Sequence, residues 1–421
     1  MKADYIVLRV KQPSTRDLFT GAAAQSRGVS GPGYGALGLP AAVPLPGSEA
    51  PPEMAFEVQS LERSNIGQLS QRADVVASAP SIPTVLLKEM DHPIGGVAAV
   101  TLAAQDVTWG VRAVGADTSP HTGKGVVVAV LDTGIDRHHP AFAGINLVEK
   151  DFTGEGNGDT LGHGTHCAGT IFGRSGSAGR IGVAPGVEKA LIAKIIGRNS
   201  GGDSAMLVKA IEWAVENGAH VLSMSVGFDF VALAQRMEDR FIKEIALARS
   251  LEAYRATVSL FEKATALIRA KGEFSRTTSI FIGAAGNTSD RLRGPDYEVS
   301  VSPPANSEGF VAVGAVGYTQ GPANVISVAH FSNTGPNVCA PGVGIISARP
   351  GGDLVSMSGT SMATPHVAGV AALWTEKLMR ENMLCADYLT IKLIGSASLD
   401  YFTPEVDKSD VGAGMVRAPQ V

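Results

Sequence analysis

The stretch GVVVAVLDTGID, residues 125–136, sets four valines, an alanine and a leucine in a row before an Asp-Thr-Gly turn. Branched Cβ atoms favour extended backbone, and the lack of polar alternation predicts a strand buried on both faces. Working outward, ALIAKII (190–196), HVLSMSV (220–226), SIFIGAA (279–285) and FVAVGAV (310–316) read as further strands. AMLVKAIEWAVENG (205–218) between them reads as an amphipathic helix ending at Gly218. Such alternation predicts an α/β fold, a doubly wound, mainly parallel sheet flanked by helices. Ligand chemistry in that architecture collects at the C-terminal ends of the strands, and Asp132 stands at one.

The chain has 421 residues, 44% hydrophobic and 18% charged, enough for one large domain and a small one. A net charge of −5 gives no electrostatic case for nucleic acid. The absence of a long apolar run predicts no membrane span. The opening MKADYIVLRVKQ lacks the apolar core of a secretory signal, so a cytoplasmic location is expected. Cys167, Cys339 and Cys385 are too few for a disulfide framework, although one bridge is compatible with the sequence.

Residues 1–88 read as a small α+β unit: strand YIVLRV (5–10), AFEVQSLE, a short polar helix near 64–72, VVASAP and IPTVLL. Its Gly/Pro-rich stretch 21–53 reads as a flexible loop. Residues 89–107 read as a linker, and 108–421 as the main domain with a helical insertion at about 228–275. Between 231 and 271 there is neither Gly nor Pro. Met237, Phe241, Ile245, Leu247, Leu251, Tyr254, Val258 and Phe261 suggest one apolar stripe, for packing on the sheet or docking a protein partner.

Four segments set reactive side chains beside glycine: VAVLDTGID with Asp132, DTLGHGTHCAGTI with His163, FIGAAGNTSD with Asn287, and GTSMATPHVAG with Ser361. Each has a plainer explanation alone. Asp132 could cap a turn, Asn287 could shape one, and Ser361 could cap a helix. An aspartic protease would need a second Asp-Ser/Thr-Gly, which is absent. His163 and His166, with His138 and His139 nearby, could suggest a metal, but Cys167 lacks a spaced thiol partner. Taken together, the four supply a nucleophile, a base, an anion to orient the base, and an oxyanion donor.

VAVLDTGID, GHGTHCAGT and GTSMATPHVAG, in that order, closely resemble the three signature regions of the subtilisin-like serine proteases, the subtilases or peptidase family S8. The resemblance spans roughly residues 108–421, with GVAPG (182–186), SMSVG (223–227) and DVGAGMVRAP (410–419) along the way. The cysteine in GHGTHCAGT resembles most the proteinase K branch. The resemblance implies a serine endopeptidase in which Ser361 attacks, His163 relays the proton and Asp132 orients His163. Asn287 and the Ser361 N–H would form the oxyanion hole. Ser223, Met224, Ser225, Val226 and Gly227 would pair with substrate backbone, and Ala284, Ala285 and Gly286 would wall the specificity pocket. These small walls suggest an uncharged, apolar or aromatic residue before the cut, unless Glu298 reaches the pocket floor.

The N-terminal unit resembles an inhibitory propeptide, which implies a zymogen cut between about 88 and 107; an uncleaved accessory domain is the alternative. No cofactor is implied. Calcium binding is compatible with the resemblance, but the usual strong site has Ala141 where an acid is normal and RSGSAGRIG in its partner loop; Asp159 is a structural or cation-binding acid. The expected substrate is a polypeptide. Two other functions use the same residues or fold: a peptide ligase or macrocyclase, and a non-catalytic binding module. Activity is expected to rise near pH 6.5, where an ordinary imidazole becomes neutral.

Overall fold

The structure, a computed structural model, describes residues 2–11, 53–87, 90, 107–174, 179–199, 201–275, 277–318 and 325–421. The Gly/Pro-rich loop and nearly all of the linker lie outside the described residues. The N-terminal unit consists of β1 (Lys2–Lys11), β2 (Glu53–Glu62), α1 (Arg63–Ser70) and β3 (Val75–Pro80), with an antiparallel sheet in the order β2-β1-β3. Next comes β4 (Pro83–Leu86), which does not join that sheet.

The main domain runs α2 (Trp109–Ala113), β5 (Val127–Asp132), β6 (Asn146–Asp151), α3 (His163–Phe172), β7 (Lys189–Lys194), β8 (Gly202–Asp203), α4 (Ser204–Glu216), β9 (Val221–Met224) and β10 (Val226–Phe228). It continues with α5 (Phe230–Glu238), α6 (Lys243–Ser275), β11 (Ile280–Ala284), β12 (Phe310–Tyr318), β13 (Ile326–Val328), β14 (Val338–Pro341), β15 (Ile345–Ala348) and β16 (Leu354–Met357). Three helices close it: α7 (Thr360–Arg380), α8 (Ala386–Gly395) and α9 (Lys408–Val411). The central sheet has the order β13-β12-β11-β9-β5-β7-β6, with β14 also on β12. Only β13 pairs antiparallel within it.

The valine run does what its composition dictates. Val128 and Val130 enter one apolar core with Ile171, Phe172 and Val367 from α3 and α7. Ala129 and Leu131 enter the other with Leu207, Ile211 and Phe261 from α4 and α6. Alternate side chains of one strand thus feed opposite layers, as two covered faces require. Ile6, Leu8, Phe56 and Ala79 of the N-terminal unit join the second core.

The insertion forms two helices, and its buried stripe differs from the one expected. Ala246, Ser250, Ala253, Thr257, Leu260, Phe261, Ala264 and Ile268 of α6 are buried. Ile245, Leu247 and Leu251 are exposed instead. Small residues bring the first half of α6 close to its neighbours, so large residues there turn outward. The helix packs against α5 and against β3 of the N-terminal sheet. Among the described residues no helix is long and apolar enough to cross a membrane.

Candidate active site

Asp132 ends β5 and is almost wholly buried. Its Oδ1 accepts the Thr133 N–H at 2.8 Å and faces His163 Nδ1 at 2.8 Å. His163 is the first residue of α3, which begins after Gly162 at φ 91°. Gly164 is needed here for proximity: a Cβ would fall 2.3 Å from the Gly134 carbonyl oxygen. The helix start can therefore lie against the exit of β5. Asp159 fixes the same junction, accepting from Thr133 Oγ1, the Leu161 and Gly162 N–H groups, and both the N–H and hydroxyl of Thr165. That is a structural role.

A carboxylate on Nδ1 sets the neutral ring with its proton on that nitrogen and its lone pair on Nε2. Nε2 is buried and has no hydrogen-bond partner among the described residues. Burial disfavours the charged ring, yet the adjoining Asp132 carboxylate outweighs it and holds the His163 pKa well above 6.5. A midpoint above pH 6.5 is therefore expected for activity.

Ser361 occupies the second position of α7, where backbone N–H groups lack intrahelical acceptors. Its hydroxyl donates to the Ser225 carbonyl at 3.4 Å, and the Ser225 hydroxyl donates to the Ser361 carbonyl at 3.0 Å. The Cys167 thiol lies 3.9 Å from His163 Nδ1 and donates to the Ser361 carbonyl at 3.5 Å. One buried thiol thus touches both the histidine and the serine residue. Burial pushes that thiol's pKa up, so it stays neutral.

Asn287 follows β11. Its Oδ1 accepts from the Thr360 N–H at 2.9 Å and the Thr360 hydroxyl at 2.7 Å. Its Nδ2 lies beside Gly359, where a Cβ would fall 3.0 Å from it. The Thr360 hydroxyl also accepts the Gly286 N–H at 3.2 Å. Thr360 is a positioning residue that sequence reasoning missed; its only signal was a hydroxyl immediately before Ser361.

The cleft holds a segment of the same chain. Strand β4 pairs antiparallel with β10, Leu86 with Val226 and Val85 with Gly227, and on its other side with β8. Leu87 lies against Gly227, where a Cβ would fall 2.8 Å from its Cδ2. Met90 donates its N–H to the carbonyl of Ser358, three residues before Ser361, at 3.1 Å. IPTVLL therefore belongs to the cleft rather than to the N-terminal sheet, since alternation specifies a strand and not its partner.

Two expected substrate-pairing residues need correction. Ser223 and Met224 are buried in β9 and paired on both sides, with β5 and β11. Their backbone cannot serve an incoming peptide, and the usable edge starts after them. Ser225 touches Ser361, while Val226 and Gly227 carry the strand pairing. Ala284 ends β11, and Ala285 packs with Val301, Ala305 and Ala312. Gly286, at φ 114°, makes the turn toward Asn287. Glu298 forms an ion pair with Arg291 at 2.6 Å, which occupies its charge.

Two of the other histidines considered for a metal, His166 and His139, are engaged elsewhere, and His138 is exposed. His166 Nε2 meets the Ile345 carbonyl at 2.9 Å, and burial pushes its pKa down to about 3. His139 meets the Asp353 carbonyl and the Ala141 N–H with its two nitrogens. The Ala141 carbonyl accepts from the Arg174 N–H, and the Arg174 guanidinium donates to the Gly144 carbonyl. A fixed cation thus lies where the calcium loop was considered.

Comparison with known proteins follows the same lines. Residues 123–391 match the model of the subtilase family. M-protease of Shouchella clausii (strain KSM-K16) is 34% identical over 301 residues, 70% of this chain and 65% of its own length. Subtilisin Savinase of Lederbergia lenta is 34% identical over 280 residues, 65% of this chain and 86% of its own. Subtilisin E of Bacillus subtilis (strain 168) is 31% identical over 295 residues, 66% of each. The matched segment spans just under two thirds of M-protease and Subtilisin E and most of Subtilisin Savinase.

Proposed function

This chain belongs to the subtilase family, and from that premise we propose that it is a serine endopeptidase. The observation that carries the reading is the buried 2.8 Å contact between His163 Nδ1 and Asp132, with Cys167 joining His163 to the Ser361 backbone. In the proposed reaction Ser361 Oγ attacks the scissile carbonyl carbon and passes its proton to His163 Nε2. Asp132 stabilises the resulting imidazolium. The oxyanion accepts from Asn287 Nδ2 and the Ser361 N–H. His163 then gives the proton to the departing amine, leaving an acyl group on Ser361 Oγ. Water, deprotonated by His163, releases that group as a carboxylic acid.

We further infer that the N-terminal unit is an intramolecular inhibitor. Support comes from β4, which fills the space between β8 and β10 as an added strand. Leu87 beside Gly227 supports a preference for an apolar residue before the cut. Leu87 lies against Gly227 and Met90 bonds to Ser358, both in segments near Ser361, which supports self-cleavage within Leu87–Met90, at or just ahead of the near limit expected from sequence. The proteinase K branch is proposed on Cys167, buried beneath the His163 ring. Loss of the usual strong calcium site is proposed on Ala141 and Arg174, with calcium binding elsewhere still open.

The test uses a fluorophosphonate probe, which is expected to label Ser361 in the wild-type chain and not in Ser361→Ala. Correctly folded protein freed of its N-terminal unit that resists labelling and cuts no peptide would leave only the binding-module reading. Mass spectrometry of products formed with an added amine separates hydrolysis from ligation. Sequencing the new N-terminus after incubation is expected to read from Lys88, Glu89 or Met90, and a start beyond residue 107 would overturn the inhibitor assignment.

A further inference from the structure

Asn333 is completely buried in the loop before β14, distant in sequence from every motif considered above. Its carboxamide uses both ends. Oδ1 accepts from the Thr288 N–H at 2.9 Å, the Ser289 N–H at 3.0 Å and the Ser289 hydroxyl at 3.3 Å. Nδ2 donates to the Ala285 carbonyl at 3.2 Å, the Ser300 carbonyl at 3.1 Å and the Ser302 hydroxyl at 3.2 Å. Its own backbone N–H donates to the Gly286 carbonyl at 3.1 Å. One residue thereby holds positions 285, 286, 288 and 289, two on each side of Asn287.

The fit is close. A Cβ on Gly286 would lie 2.4 Å from Asn333 Nδ2, so the glycine and the asparagine are matched in shape as well as in hydrogen bonding. A buried side-chain amide with every partner in place is rigid, because losing any bond strands a polar group away from water. Thr360 fixes which way the Asn287 amide faces. Nothing else described holds the backbone on both sides of Asn287 through a single side chain.

We propose that Asn333 is the positioning residue for the oxyanion donor: it sets the backbone from which Asn287 projects and so acts on the transition state through Asn287. This rests on the endopeptidase reading above. A donor aimed at charge that develops only during attack changes turnover rather than ground-state binding.

The experiment is a double-mutant cycle between positions 333 and 287 on the mature enzyme. Asn333→Asp keeps the shape and the acceptor oxygen but removes the Nδ2 donors. It is expected to lower kcat by about 10- to 100-fold with KM within about twofold, below the full loss on deleting such a donor. In an Asn287→Ala background the same change is expected to cost less than about threefold, because its target is gone. Equal costs in the two backgrounds, or a fall confined to thermal stability, would overturn the proposal. Should Asn333→Asp fail to fold, Asn333→Ser, which leaves room for water, goes through the same cycle under the same criteria. Additive costs in an active, Ser361-labelled wild type would refute the role of Asn333 alone. A wild type that neither labels nor hydrolyses would refute the endopeptidase reading and this proposal with it.

Discussion

At the scale of single residues, the chemistry depends on where one lone pair and one amide point. Because the Asp132 carboxylate holds the His163 pKa well above 6.5, the base is neutral only at higher pH. The expected kcat/KM profile therefore climbs with pH through a midpoint above 6.5, and a plateau already reached at pH 6 would exclude His163 as the base. Replacing Asn287 by alanine should raise the barrier by about 2.7–4 kcal/mol, a range taken from loss of one such donor in a subtilisin. Activity within threefold of wild type would remove it from that role. Thr360→Val deletes the 2.7 Å bond to Asn287 Oδ1 and should slow turnover roughly 3- to 10-fold, the worth of one modest hydrogen bond. Asp132, His163, Asn287 and Ser361 were legible because each is a reactive residue next to glycine at a strand exit or helix start. Thr360 and Asn333 were not, since polar residues that act through other residues carry no local pattern of their own.

At the scale of elements, close packing decides more than propensity does. Helix α3 delivers His163, and its Gly169 sits where a Cβ would come 2.4 Å from Ser347 Oγ and 2.9 Å from Ala348 Cβ on β15. Gly169→Ala should destabilise the fold by about 1–3 kcal/mol, the usual cost of overpacking, and an unchanged melting temperature would show that the neighbours yield freely. The hold of the main domain on the N-terminal sheet combines apolar packing with hydrogen bonds from the Phe56 N–H to Glu212 and from Lys263 to the Val76 carbonyl. The Arg63–Glu252 pair across that junction is more than half exposed on both sides, and such pairs contribute little. Phe56 lies in the shared core. Phe56→Ala removes a contact of about 3–5 kcal/mol and should shorten the lag before activity appears in freshly folded chain, whereas an unchanged lag would remove that contact from control of release. The parallel sheet was legible because its strands are continuous apolar runs. The face of α6 was not, since alanine, serine and threonine there outcompete larger residues for a tight approach, and periodicity cannot weigh that.

At the scale of the whole molecule, buried imidazoles set the behaviour in acid. Burial lowers the pKa of His166 to about 3 and that of His366 to about 4. The unfolded chain takes up these protons near pH 6.5 and the folded chain does not, so stability is full above that pH and falls as pH drops toward the folded values. At a limiting slope of about 1.4 kcal/mol per histidine per pH unit, the two together remove on the order of 5 kcal/mol between pH 6.5 and 4, comparable to the whole stability of a marginal domain. Urea midpoints measured across that range should fall steeply, and a flat series would mean that both rings are hydrated. The general architecture could be inferred from residues 108–421 alone, but the path of β4 could not, because a four-residue strand does not announce which edges it joins. On the proposed inhibitor reading, its seat between β8 and β10 makes the molecule its own competitor. A tethered strand counts as a millimolar rival, so a micromolar peptide of equal intrinsic affinity is outmatched about a thousandfold. Latency of this kind does not ease on dilution, and only severing the tether brings the rival's concentration down to that of the protein.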